Sequence, residues 1–147
     1  MAQTTTSPLD GSEWALLREQ VATIQALVTR RFGAGPFEQS TDDLPPLQRL
    51  LDEGIVDDTQ PDQVRAVGAA FGNVVAKVLG FEWVAESDGR GGRQPALSLK
   101  PSGALVVQPQ KALVDRVTRG DRVELAKLLD DYKAQAARTK LLPKMGV

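Results

Sequence analysis

The stretch Val64-Arg65-Ala66-Val67-Gly68-Ala69-Ala70-Phe71-Gly72-Asn73-Val74-Val75-Ala76-Lys77-Val78-Leu79-Gly80-Phe81-Glu82-Trp83-Val84-Ala85-Glu86 changes its hydrophobic period partway along. Val64, Val67, Phe71, Val74, Val75 and Val78 recur at helical spacing up to Gly80, which predicts a helix with one apolar stripe. Beyond Gly80, Phe81, Trp83 and Ala85 alternate with Glu82, Val84 and Glu86, the pattern of a strand with one buried face. Gly68, Gly72 and Ala76 lie four apart and form a smooth strip on the helix. A helix-interior glycine costs about 1 kcal/mol against alanine, so the strip is read as packing of helix on sheet in preference to a dimer seam.

Downstream, Asp88-Gly89-Arg90-Gly91-Gly92-Arg93 is a loop, and residues 96–100 and 104–108 are short β-prone runs. Lys100-Pro101-Ser102-Gly103 between them suits a type I turn, which predicts a meander of three strands. Pro109 opens a helix through Ala112, Leu113, Val114 and Val117 that stops at Gly120. Asp121 and Glu124 have capping-box spacing and predict a last helix with Val123, Leu125, Leu128, Leu129 and Tyr132 on its apolar side. A basic tail, residues 139–147, is expected to fray.

Upstream, residues 1–9 are polar and aperiodic and read as a disordered lead. Asp10 and Glu13 form a capping box before the stripe Trp14, Leu17, Val21, Ile24 and Val28, and Gly33 ends that helix. A loop over 34–44 leads to a short helix with Pro45 and Pro46 in its first turn, ending at Gly54. Thr59 is the expected cap of the central helix, with Pro61 in its first turn. The expectation is thus a single domain over residues 10–138 of class α+β, its helices packed on a three-stranded antiparallel β-meander.

Composition narrows the chemistry. The chain has 147 residues, 41% hydrophobic and 25% charged, which is ordinary for one globular domain. It has no cysteine and no histidine, which removes disulfides, thiolate nucleophiles, the usual neutral-pH base and the commonest metal ligands. With neither a signal-peptide pattern nor a membrane-length apolar run, a cytoplasmic location is expected. The net charge of −1 conceals a division along the chain. Residues 35–62 carry eight acids and one base (−7), whereas residues 90–147 carry twelve bases and five acids (+7).

The helix with Gly68 and Phe71-Gly72, the run Leu79-Gly80-Phe81-Glu82-Trp83-Val84, Pro95-Ala96-Leu97 and Val117-Thr118-Arg119-Gly120-Asp121 together resemble a bacterial domain-of-unknown-function family, DUF3806. The resemblance covers about residues 67–130. Asp88 and Gly89 match an Asp and a Gly that close the first strand in that family, while Arg90-Gly91-Gly92-Arg93 is an insertion that makes the loop longer and more basic. The resemblance implies a bacterial or phage-related setting and a helix-then-meander layout. It implies no catalytic residue.

Candidate sites follow from charge. Glu38, Asp42, Asp43, Asp57 and Asp58 are the expected contacts for a protein partner with a basic surface, as in an immunity or adaptor protein. Arg90 and Arg93 in the Gly-rich loop are an alternative anion or small-molecule site. Asp57, Asp58 and Asp62 are read as acids favoured by a helix dipole, and no metal or other cofactor is expected. Trp14 and Trp83 are read as core, nucleic acid is not an expected partner at a pI near 5.5, and a homodimer is a further option.

Overall fold

A computed structural model of the chain describes residues 5–145, with side chains placed from residue 5 to residue 139. These residues run β1 (Thr5–Ser7), α1 (Gly11–Phe32), a 3₁₀ turn (Thr41–Asp43), α2 (Leu44–Asp52), α3 (Pro61–Leu79), β2 (Phe81–Ser87), β3 (Arg93–Leu99), β4 (Val106–Val107), α4 (Pro109–Thr118) and α5 (Leu125–Met145). The strands form one antiparallel sheet in the order β1-β2-β3-β4.

The apolar stripe of α3 runs through the centre of the core, where Val64, Val67, Phe71, Val74 and Val75 are buried. The helix packs against α1, α4, α5 and the sheet, so its burial joins every layer of the domain. Gly80 adopts a left-handed conformation (φ 80°) that caps α3 and turns the chain directly into β2. In the sheet Phe81 pairs with Leu99, Trp83 with Leu97, and Leu97 with Val107, and these side chains complete the core. The opposite face carries Glu82, Glu86 and Gln94, and the Gln108 side-chain amide donates to Glu86 across β3.

The glycine strip is internal packing. A Cβ at Gly68 would stand 2.7 Å from the Gln110 Cα at the start of α4, and one at Gly72 would stand 2.4 Å from Cζ2 of Trp83. The strip therefore receives a second helix as well as the sheet, which the sequence pattern had assigned to the sheet alone.

Several expectations need correction. The sheet has four strands, because Thr5–Ser7 pairs with Ser87–Ala85 from within the stretch read as a disordered lead. Leu9 is buried beside it. A polar strand of three residues has no readable alternation, and its pairing is fixed by Arg93, whose guanidinium donates to the Ser7 hydroxyl and the Pro8 carbonyl. Residues 1–4 of that lead lie outside the described residues. The turn after β3 closes with the Gly103 amide on the Leu99 carbonyl (2.7 Å), one residue wider than a type I turn. Thr59 does not cap α3; its hydroxyl donates to Asp57, and Gln60 takes the cap position. Trp14 is not core, being 39% exposed. The helix α5 continues through most of the stretch read as a fraying tail, of which residues 146–147 lie outside the described residues.

The capping box read at Asp121 does not form either. Asp121 pairs with Arg119, and α5 starts at Leu125. Its first amide is met from α2: Gln48 Oε1 accepts from the Leu125 N–H (2.8 Å) while Gln48 Nε2 donates to the Val123 carbonyl (2.7 Å). Gln48→Ala should therefore lower the unfolding free energy by about 1 kcal/mol, as the loss of a helix cap does. Chemical denaturation with an unchanged m-value measures it.

Candidate functional site

The acidic segment is divided by the fold into structural and available carboxylates. Asp43 is buried, and its two oxygens accept from the Glu38 and Gln39 amides (3.0 and 2.8 Å), which shapes the turn before α2. Asp57 accepts from both the amide and the hydroxyl of Thr59, contacts that hold its carboxyl below the ordinary range. Asp52 meets Arg122 of the α4–α5 connection (3.3 Å) and Gln48, and these partners also depress its pKa. Glu53 pairs with Arg49 and Asp62 with Arg65. Glu38, Asp42 and Asp58 are exposed and make no ion pair among the described residues.

Asp57 and Asp58 come together with Asp52 and Asp121 in a groove of about 630 Å³ between the α2–α3 and α4–α5 connections. Four carboxylates and the single guanidinium of Arg122 line it, over a floor that includes Leu51, Val56 and Val123. Glu38 and Asp42 lie outside this groove. The contribution of Asp121 carries no local signal, since it depends on the packing of two connections more than sixty residues apart. Among the described residues no group of three or more His, Cys, Asp or Glu side chains is disposed to hold a metal ion.

The Gly/Arg loop is engaged with itself and with α1. The Asp88 carboxylate accepts from the Arg90 and Gly92 amides (2.7 and 3.2 Å), so the donors a bound anion would use already face a carboxylate. Arg93 donates to both oxygens of Glu13 (3.1 and 2.7 Å), joining β3 to the first turn of α1. Arg90 is the loop cation that makes no ion pair among the described residues.

The Arg93 contact, together with the Asp10 amide, holds the Glu13 carboxyl below its ordinary value of 4.5. A depressed folded-state pKa means that this stabilisation is complete above about pH 4.5 and is lost as pH falls through the folded value. Arg93→Gln should consequently melt below the parent at neutral pH, and the gap should narrow on acidification below pH 4.5; a melting series from pH 7 to pH 3 checks this.

Tyr132, the one tyrosine, is buried against Phe71 with ring centroids 6.4 Å apart. Burial pushes its phenol up to about 12, which keeps it protonated and unsuited to proton transfer at neutral pH. Among the described residues no helix is long and apolar enough to cross a membrane.

A crystal structure of a protein from Bacteroides thetaiotaomicron VPI-5482, at 1.50 Å resolution, shares this fold with a TM-score of 0.78 at 21% identity. The similarity covers 88% of this chain and 47% of that one, so the chain spans about half the length of that protein. No curated protein matches the sequence. The family model for the domain of unknown function DUF3806 matches residues 43–129. That match begins upstream of the resemblance in the sequence, at the 3₁₀ turn, and takes in α2 and the whole of α3. With more than half of its length so matched, the chain belongs to the DUF3806 family.

Proposed function

We propose that the protein is a non-enzymatic bacterial interaction module of the cytoplasm, of immunity or adaptor type, which binds a protein partner through an acidic surface. The observation that carries this reading is the groove lined by Asp52, Asp57, Asp58 and Asp121, in which Asp52 is paired with Arg122 and Asp121 with Arg119 while Asp58 makes no ion pair among the described residues. A lysine or arginine brought within about 4 Å of such an exposed carboxylate gains roughly 0.2–1 kcal/mol, and several such pairs add to a usable affinity and steer the encounter. Asp58 in the groove, with Glu38 and Asp42 outside it, are the carboxylates with charge to offer, whereas Asp43 and Asp57 act through the backbone they fix.

The triple variant Glu38→Gln, Asp42→Asn, Asp58→Asn removes three charges without touching a hydrogen bond that shapes the fold. Its partner affinity should fall at least about tenfold with an unchanged melting temperature. Affinity equal to the parent's would refute the acidic surface as the binding face.

A further inference from the structure

Trp14 stands apart on α1, because the stripe to which it belongs is buried at Leu17, Ile24 and Val28 while Trp14 itself is 39% exposed. It lies at a groove of about 450 Å³ formed by α1, the 34–40 connection, α3 and β2. Leu17, Val21, Phe37 and Trp83 supply apolar and aromatic walls. That volume lies within the range of small-molecule sites, about 300–1,000 Å³.

The polar groups in these walls are committed to holding the groove open. Gln25 donates to the Gly35 carbonyl (2.9 Å) and accepts from the Phe37 amide, which staples the connection to α1. The Asp43 oxygens are taken by two amides, and Asn73 accepts from the indole N–H of Trp83 (2.9 Å). Arg18, one turn after Trp14, and Gln39 are the exceptions: both line the groove, neither side chain makes a hydrogen bond or ion pair among the described residues, and Arg18 is the one of the two that carries charge. An aromatic slot with one uncommitted guanidinium is complementary to a molecule with a flat apolar body and one carboxylate, since a guanidinium pairs with both oxygens of a carboxylate at once.

We infer that this groove binds a small amphipathic carboxylate, its apolar body against Trp14 and Phe37 and its carboxylate on Arg18. The site is separate from the acidic groove and does not rest on the reading given for it. The presence of two tryptophans, both lining the groove, gives a direct readout in their indole N–H resonances.

Titrating the full chain with 2-naphthoate should move both resonances saturably with a midpoint below about 1 mM, whereas 2-naphthamide should bind at least about tenfold more weakly. In Arg18→Gln the preference for acid over amide should vanish while the melting temperature stays unchanged, because Arg18 is exposed and makes no hydrogen bond or ion pair among the described residues. The inference is overturned if naphthoate moves neither indole signal up to about 5 mM, if acid and amide bind the parent equally, or if Arg18→Gln keeps the preference.

Discussion

Replacing Phe71 by alanine is expected to remove about 3–5 kcal/mol of stability, the cost of emptying an aromatic site in a closed core. Phe71 is wholly buried in the middle of α3 and meets the Tyr132 ring of α5. Because α3 contacts α1, α4, α5 and the sheet, neighbours on several sides would have to move together to fill the space. A domain of this size has about 5–15 kcal/mol of net stability, so the variant should unfold at far lower denaturant or fail to accumulate. Phe71→Leu, which keeps most of the volume, should recover most of the loss; equal losses for the two variants would show that the site is not closely packed.

The second large effect runs against helix propensity. Alanine is favoured over glycine by about 1 kcal/mol inside a helix, yet Gly72→Ala should destabilise by about 2–3 kcal/mol. Its methyl group would overlap the Trp83 ring, which cannot swing aside without giving up its bond to Asn73 and its place under the core. Gly68→Ala should act in the same direction, because the obstacle is the backbone of α4 itself. Gly11→Ala, at the open first turn of α1, has no atom in the way and should be neutral or slightly stabilising. Thermal melts of the three variants side by side separate the steric effect from the propensity effect, and a rise in stability at position 72 would contradict the packing described.

Features written in contiguous sequence were legible before the structure. The capping box of α1 forms in both halves, with Asp10 accepting from the Glu13 amide and Glu13 accepting from the Asp10 amide. The change of period at Gly80 marks the α3–β2 boundary because burial repeats every 3.6 residues on one side of it and every second residue on the other. Features that depend on distant partners were not legible. Gln48 looks like an ordinary polar residue of a short helix, and only the approach of the α4–α5 connection makes it the cap of α5. The three residues of β1 are too few and too polar to show alternation, and they are a strand because β2 offers them an edge. Trp14 continues a helical stripe, but it borders a groove between α1, α3, β2 and the 34–40 connection that leaves it partly exposed.

The candidate site was legible as charge but not as geometry. Summed over residues 35–62 the sequence is strongly acidic, yet its carboxylates have different fates. Asp43 is buried against two backbone amides and Asp57 is held by the amide and hydroxyl of Thr59, roles that spacing alone does not distinguish from a free carboxylate. Part of the basic half does meet the acidic half, through Arg122 and Asp52, so the division along the chain is partly neutralised in space. What is left uncompensated is concentrated at Asp58 and its groove and at Glu38 and Asp42.

Binding through the acidic surface is read out by the salt dependence of partner affinity. Raising the ionic strength from about 0.1 M to 1 M shortens the screening length from roughly 10 Å to 3 Å. Binding guided by the acidic surface should weaken steeply over that range in the parent and only shallowly in the Glu38→Gln, Asp42→Asn, Asp58→Asn variant. Equal slopes for the two proteins, or a parent affinity indifferent to salt, would contradict it.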